Sequence, residues 1–466
     1  MRNRLRIGPR IGLGIVGVMA LVGVLCLDWV NYTPYFRSPY YKETAARFAT
    51  ASATNLIESG PLFAGIGIAR LTPALNASEE DPAAGNFRHI PLAGYGNRNG
   101  KPATGVHDDI WVKALAVRVG TQTGIIFGTD ALIVPREVAD EAAAQLQQET
   151  GLRREQLYFS ATHTHCSIGG WGEGVVGEAF AGPFNSGART WFAGQFVAAA
   201  RDALRDLKPA EFGHGSFRAP EFVRNRVVGD LGKVDDEFSF AIFKQQQGRS
   251  AVMGVYSAHA TVLSGRVTEF SADYPGAWQR AIEESGNTVA LFLAGAVGSH
   301  APIAGEGGFA GADRMGKALA DRLQQQLPQI PLTNSIPFGL LAFDLSLPEF
   351  NVRLTSGIRL RPWIISKLLP VGRQSFLQGF RLGHTIWLST PCDFSGELAL
   401  HIKETLRMRR FSAIITSFNG DYIGYVIPSK YYHLDGYEPR TMSFYGPYIS
   451  DYLDEFIRKT ALDLSD

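Results

Sequence analysis

Thr162-His163-Thr164-His165 is the stretch of this chain best suited to chemistry. It follows the apolar, strand-like Leu157-Tyr158-Phe159-Ser160 and precedes Cys166-Ser167-Ile168-Gly169-Gly170. In an extended strand residues i and i+2 share a face, so His163 and His165 would send both imidazoles into one pocket. Imidazole is a common metal ligand, and the glycines that follow let backbone approach a ligand closely. Paired histidines also occur as ordinary polar residues, so the other ligands must be sought elsewhere. A catalytic metal needs about three protein ligands from separated segments and an open position. The candidates are polar groups at the ends of apolar runs: His259 after 252–257, Asp393 after 386–391, and Tyr422 and Tyr425 after 414–418. Taken singly, His259 also reads as a core histidine, Asp393 as the cap of a helix starting at Ser395, and the tyrosines as half-buried packing.

Residues so far apart converge only if regular elements carry them. Apolar and β-branched runs predict strands at 62–68, 110–119, 124–128, 156–161, 238–243, 251–257, 289–294, 338–343, 378–382, 385–389 and 413–417. Helical periodicity alternates with them at 138–150, 188–207, 276–285, 311–326, 395–408 and 450–462. No repeat and no long linker interrupts the pattern. It predicts an α/β fold, mixed β-sheets flanked by helices in one large catalytic domain over 61–466. Two stretches read as site walls: the glycine-rich loop 169–187, with Trp171, Phe180 and Phe184, and the apolar 362–370, flanked by Arg359, Arg361 and Arg373. The second suits either a membrane surface or a buried strand and turn.

At 466 residues, 45% hydrophobic and 19% charged, the chain has ordinary globular composition. Lys plus Arg (45) balances Asp plus Glu (44), which leaves no electrostatic footprint for nucleic acid. The N-terminus departs from this. Arg2, Arg4, Arg6 and Arg10 precede an apolar and glycine run over 11–27, roughly 25 Å as a helix, and Asp28 ends it. We read 1–30 as a cytoplasmic basic end with one N-terminal transmembrane helix, a retained signal anchor in preference to a cleaved signal peptide. Residues 31–60 read as a juxtamembrane stem with a helix near 42–57, and everything beyond the anchor is expected on the extracytoplasmic side. Gly12-Leu13-Gly14-Ile15-Val16-Gly17 matches G-x-G-x-x-G, but it lacks a preceding strand and is no dinucleotide loop. The three cysteines, Cys26, Cys166 and Cys392, write no disulfide framework, and the last two, each flanking a candidate site residue, read as small core residues in preference to a bridge or a thiol ligand.

An ordered series of short motifs resembles the neutral/alkaline non-lysosomal ceramidases from about residue 64 to 462. Its carriers are Gly65-Ile66-Gly67-Ile68-Ala69, Gly105-Val106-His107, Thr162-His163-Thr164-His165, Asn225-Arg226 and Ala258-His259-Ala260-Thr261. Pro391-Cys392-Asp393-Phe394-Ser395, Asp421-Tyr422-Ile423-Gly424-Tyr425-Val426, Tyr437-Glu438 and Phe444-Tyr445-Gly446-Pro447 complete it. The resemblance implies a mononuclear zinc amidohydrolase. Carried over position by position, it implies zinc held by His163, His259, Asp393 and Tyr425, with Tyr422 as the neighbouring choice. His165, Arg226 and His107 match positions lining the family's site.

The chain departs from the family pattern twice. Asp393 stands where the family usually has Glu, one methylene shorter. Where the family has Gly-Asp-Val-Ser-Pro with its serine in the site, this chain reads Gly298-Ser299-His300-Ala301-Pro302, so Ala301 replaces the serine and Ser299 and His300 are the nearest substitutes. The expected activity is hydrolysis of the amide of ceramide or another N-acyl lipid through a zinc-activated water, with Asp393 or His165 as base and Arg226 with His165 at the oxyanion. Two alternatives stand beside it: a metal hydrolase of another amide, an ester or a phosphoester, and a non-catalytic lipid-binding protein that lost activity with the serine. The expected partners are a lipid or other N-acyl small molecule and, through the N-terminal helix, a membrane.

Overall fold

A strand that is apolar on both faces must be covered on both, and Val289-Ala290-Leu291-Phe292-Leu293-Ala294 carries no polar side chain. In the computed structural model, which describes residues 19, 21–284, 286–368 and 372–466, such runs meet in one twelve-stranded mixed sheet. Its strands are β1 (Ile57–Arg70), β2 (Trp111–Val119), β3 (Gln122–Thr129), β4 (Leu157–Tyr158), β5 (Lys208–Arg218) and β6 (Glu237–Gln245). They continue with β7 (Ser250–Tyr256), β8 (Thr288–Ala294), β9 (Ser335–Ser346), β10 (Gln374–Leu382), β11 (Thr385–Thr390) and β12 (Ser412–Ser417). The order is β8-β7-β6-β5-β1-β9-β10-β11-β12, with β2 and β3 branching from β1 and β4 beside β3. Three pairs are parallel: β3 with β4, β7 with β8 (Ala251 opposite Val289) and β11 with β12 (Leu388 opposite Ile415). The site is built just beyond the ends of these parallel strands.

The sheet folds over on itself. Tyr158 of β4 meets Phe380 of β10 with ring centres 5.3 Å apart, and its hydroxyl bonds Thr416 of β12 at 2.6 Å. Ile66, Leu115, Phe243, Leu291, Trp387 and Ile414 fill the space between the two halves. Helices α2 (Arg136–Thr150), α4 (Ser186–Arg205), α5 (Asp273–Glu283) and α6 (Gly308–Gln326) cover one outer face. Helices α1 (Pro39–Ala53), α8 (Gly396–Arg407) and α9 (Ile449–Ser465) cover the other, while α3 (Gly174–Ala181) and α7 (Pro362–Leu368) are short. The Gly65-x-Gly67 motif is explained by packing: a Cβ at Gly65 would lie 2.0 Å from the Ala203 carbonyl oxygen, and one at Gly67 1.9 Å from that of Ala199. Helix α4 therefore rests backbone against backbone on β1, an approach no larger residue permits.

The single mixed α/β body agrees with the sequence reading, and most strands and helices fall within a few residues of their expected places. The N-terminal part differs. Of the expected membrane helix over 11–27, residues 11–18 and 20 lie outside the described residues, and among the described residues no helix is long and apolar enough to cross a membrane. Residues 21–26 are helical, but Leu27–Trp29 form a strand antiparallel to Ile358–Leu360, with Leu27 opposite Leu360. Asp28, expected to close an anchor, pairs with Arg359 at 3.3 Å. The expected stem does form a helix, but it packs on the body. Ser38 caps α1 with Pro39 in its first turn, and buried Thr44 bonds Tyr452 of α9 at 2.6 Å. The wall 169–187 is not a bare loop, since it contains α3; in 362–370, Pro362–Leu368 form α7 rather than a strand and turn, and residues 369–370 lie outside the described residues. The strand expected over 156–161 shortens to β4, followed by a single bridge between Thr129 and Ala161.

Candidate metal centre and the cavity above it

Beyond β4 the chain does not stay extended. His163 has φ of 63°, a left-handed conformation that a residue with a Cβ adopts only where its surroundings impose it. The strand argument for pairing His163 with His165 therefore fails in detail, because this turn and not the pleat aims the two rings. Buried Arg98, which the sequence reading missed, holds the loop by donating to the carbonyls of His165, Ala93 and Val267 and to the Cys166 sulfur. His259 arrives from the end of β7. Its Nε2 lies 2.8 Å from that of His163, whose Nε2 is in turn 3.3 Å from Nε2 of His165. Phe418, also left-handed, stacks flat on His163 with ring centres 3.9 Å apart.

Asp393 and Tyr425 come to the cluster together. Asp393–Phe394 and Tyr425–Val426 are two short parallel strands with Asp393 directly opposite Tyr425. Gly298 admits this pair: a Cβ there would fall 2.2 Å from the Asp393 carbonyl oxygen. Asp393 Oδ1 lies 3.7 Å from His163 Nε2 and 3.8 Å from His259 Nδ1. Its other oxygen accepts the Tyr422 hydroxyl at 2.8 Å, whereas Oδ1 is buried without a hydrogen-bond partner.

These groups fit a divalent cation. His163 Nδ1 faces the Leu132 carbonyl at 2.6 Å, and His259 Nδ1 faces that of Val297 at 3.4 Å. Protons assigned there leave both Nε2 atoms with lone pairs directed at each other across 2.8 Å. Two lone pairs at that distance repel unless they share a proton or a metal ion. Ring nitrogens of His163, His165 and His259 all lie within 4.8 Å of one another, and the orphaned Asp393 oxygen adds a fourth donor. Three imidazoles with a carboxylate are a donor set suited to zinc. Burial depresses the histidines: His163 is lowered to about 3, and His165 and His259 fall well below the ordinary range, so burial favours the neutral, ligand-competent ring in all three. Burial pushes Asp393 up to about 7 against the opposing Arg226 charge and the bonds from Tyr422 and Tyr425.

A cavity of about 240 Å³ opens above the cluster. His163, His165, Asp393, Tyr422 and Tyr425 line its polar end, while Leu132, Ile133, Trp171, Val176, Phe180 and Phe444 make it largely apolar. Exposed Glu137, Glu173, Gly372 and Tyr437 form the mouth.

The structure divides the residues expected at the site. His163, His165, His259, Asp393, Tyr422 and Tyr425 are brought together, with His165 inside the imidazole cluster and not merely beside it. Arg226 sits behind Tyr425: it donates to the tyrosine hydroxyl at 3.0 Å and pairs with Glu438 at 2.9 Å, away from the cavity walls. His107 is exposed and stacks on Phe309 with ring centres 3.6 Å apart, outside the site. Ser299 and His300 are also elsewhere. Ser299 Oγ accepts from Ser395 Oγ at 2.9 Å and from the Gly396 amide at 3.1 Å, which fixes the start of α8, and buried His300 faces the Lys233 carbonyl at 3.4 Å. Neither substitutes for the family serine at the cavity. Glu438, quoted in the sequence only as part of a motif, is the partner that holds Arg226. Glu438→Gln should leave that charge largely buried and destabilise the protein by about 2 kcal/mol in denaturant melts, with Glu438→Asp recovering part of the loss.

Comparison with known protein families matches none, and no curated protein matches the sequence. Solved structures do share the fold. The crystal structure of neutral ceramidase from Pseudomonas aeruginosa superposes with a TM-score of 0.71 at 17% identity, covering 87% of this chain and 74% of that one. A ceramidase complexed with C2 gives 0.70 at 17% identity, over 87% and 75% of the two chains. The chain has the fold of neutral ceramidases, in agreement with the resemblance seen in its motifs.

Proposed function

We propose that the chain is a zinc-dependent hydrolase that cleaves the amide bond of ceramide or another N-acyl lipid. One observation carries this reading: three neutral imidazoles and an unpartnered carboxylate oxygen converge at the end of an apolar cavity. The fold shared with ceramidases supports the amide and the lipid, and the apolar walls suit an acyl chain. A zinc ion held by His163, His165, His259 and Asp393 would supply Lewis acidity toward the scissile carbonyl and lower the pKa of water.

The chain's own residues do the rest. Leu132, Ile133, Trp171 and Phe180 take the acyl chain and exclude water from its path. Asp393 can accept a proton from attacking water at Oδ2, where the Tyr422 hydroxyl leaves one lone pair free, and return it to the departing amine, while Oδ1 stays turned to the imidazoles. Arg226 acts through Tyr425: its charge polarises the hydroxyl, which lines the cavity and can donate to a developing oxyanion. A non-catalytic lipid carrier would gain nothing from burying three imidazoles beside a carboxylate oxygen and a His165 Nδ1 that have no partner, which costs stability.

The test is acyl release from a panel of N-acyl lipids, esters and phosphoesters by the purified chain, before and after chelation. Activity untouched by thorough chelation would sink the metal; release from esters or phosphoesters alone would sink the amide. Metal affinity should also carry a proton signature. Asp393 is raised to about 7, so below that pH it holds a proton that metal must displace. Affinity should fall about tenfold per pH unit below 7, where three ordinary histidines would impose about a thousandfold below their usual pKa. Chelator competition measures the slope, and Asp393→Asn should flatten it. For location, the basic and apolar N-terminal sequence supports a tether that leaves the catalytic body on the extracytoplasmic side.

A further inference from the structure

The lipid reading of the cavity raises the question of which surface the molecule turns toward its substrate. Strand Leu27–Trp29, at the end of the apolar N-terminal run, pairs with Ile358–Leu360, and the Arg361 amide donates to the Cys26 carbonyl at 2.8 Å. The next residue begins α7. The end of the apolar run is therefore fixed beside α7, whose Trp363 and Leu368 are 52% and 46% exposed. Helix α7 lies against α3, on which Val175 is 74% exposed while Val176 and Phe180 of the same helix face into the cavity. Four residues beyond α7, Gly372 stands in the cavity mouth. On the other side of the paired strands, Tyr32 bonds the Ser356 carbonyl at 2.9 Å and stacks on His433, and the same loop leads to Tyr437 at the mouth.

Exposed apolar side chains on α7 and α3 thus stand between the N-terminal strand and the opening of the cavity. Large side chains exposed singly need no explanation, but a tryptophan, a leucine and a valine on two short helices beside a lipid-sized opening do. Lys367 extends over the Trp363 ring at 5.5 Å, and exposed Arg373 follows the helix, the pairing of aromatic and basic residues that suits a headgroup layer.

We propose that the cavity mouth docks on a phospholipid bilayer, with Trp363 and Leu368 of α7, Val175 of α3 and the exposed apolar residues of 21–25 seated at headgroup depth. This rests on the lipid reading of the site and adds to it the direction of entry. The occupant is a bilayer because the described end of the chain's most apolar sequence exposes Leu21, Val22, Val24 and Leu25 and enters the strand pair at Leu27.

The experiment uses the full chain reconstituted into phosphatidylcholine vesicles, with Cys26→Ala removing the one half-exposed thiol. An environment-sensitive fluorophore is attached at Trp363→Cys, at Val175→Cys, or at Met408→Cys beyond the far end of α8. At 363 and 175 emission should shift to the blue, and a lipid-borne nitroxide should quench it at least about threefold more than at 408. Water-like emission at 363 and 175 in vesicle-bound protein would overturn the proposal. Blue emission that the lipid quencher cannot reach would do the same, since another copy of the chain would then cover these side chains. No turnover is needed, so failed docking leaves the hydrolase reading intact, and a chain that docks but cleaves nothing overturns that reading alone.

Discussion

Replacing His163 or His259 by Ala should remove bound metal and lower kcat/KM on an N-acyl lipid by about a thousandfold, some 4 kcal/mol of transition-state stabilisation. The two Nε2 atoms face each other at 2.8 Å, so deleting either removes half of the most closely focused pair of donors in the site. His163 has further contacts, the bond to the Leu132 carbonyl and the stack on Phe418. Its loss therefore also leaves a void, expected to cost about 2–3 kcal/mol of stability. His259→Ala should be the milder of the two in thermal unfolding and equally severe in metal content and turnover. A non-catalytic lipid-binding protein would show the stability losses without a change in lipid affinity or any bound metal to lose.

Asp393→Asn should separate activity from stability. The amide matches the carboxyl in shape and can still meet the Tyr422 hydroxyl, but it brings no negative charge to the histidines. Turnover is expected to fall about a hundredfold or more, with metal held more weakly. Stability of the metal-free protein should move the other way. The folded pKa of Asp393, about 7, lies above its unfolded value, so the folded state favours the protonated form. That preference is fully expressed at low pH and is lost as pH rises through 7, where ionising a buried carboxyl opposes folding. At pH 8 metal-free Asp393→Asn should therefore be more stable than metal-free wild type, and metal should raise the Tm of the wild type but much less that of the variant. An equal or lower Tm for the metal-free variant at pH 8 would mean that the carboxylate is satisfied by a partner other than metal.

Much of the fold was legible because burial on both faces leaves a strong trace: β7 and β8 are apolar runs, and α2, α8 and α9 repeat their apolar residues with helical period. Strand β5 was missed since Lys208-Pro209-Ala210-Glu211-Phe212-Gly213-His214-Gly215 is broken by charge and glycine, and its place is fixed by nine register pairs with β6. Helix α3 was hidden by the glycines that bound it. The N-terminal run was read as ending at Asp28 because that residue is acidic, yet its pairing with Arg359, more than three hundred residues away, gives no local signal.

At the site, residue types were readable and directions were not. The cluster members all stood at the ends of apolar runs, but the left-handed backbone at His163 and Phe418 decides where their rings go. Arg226 was expected at the oxyanion and lies one layer back, because Glu438 and Tyr425 hold it there. Ser299 and His300 drew attention by chemical type, whereas their hydrogen bonds serve the start of α8 and the Lys233 loop.

The most direct test of the metal centre is crystallographic: anomalous diffraction on either side of the zinc edge from the protein loaded with zinc. A single strong peak is expected among Nε2 of His163, His165 and His259 and Oδ1 of Asp393, at about 2.0–2.2 Å from its ligands. Full zinc occupancy elsewhere on the chain, with the His163 and His259 rings still in direct contact, would contradict the account.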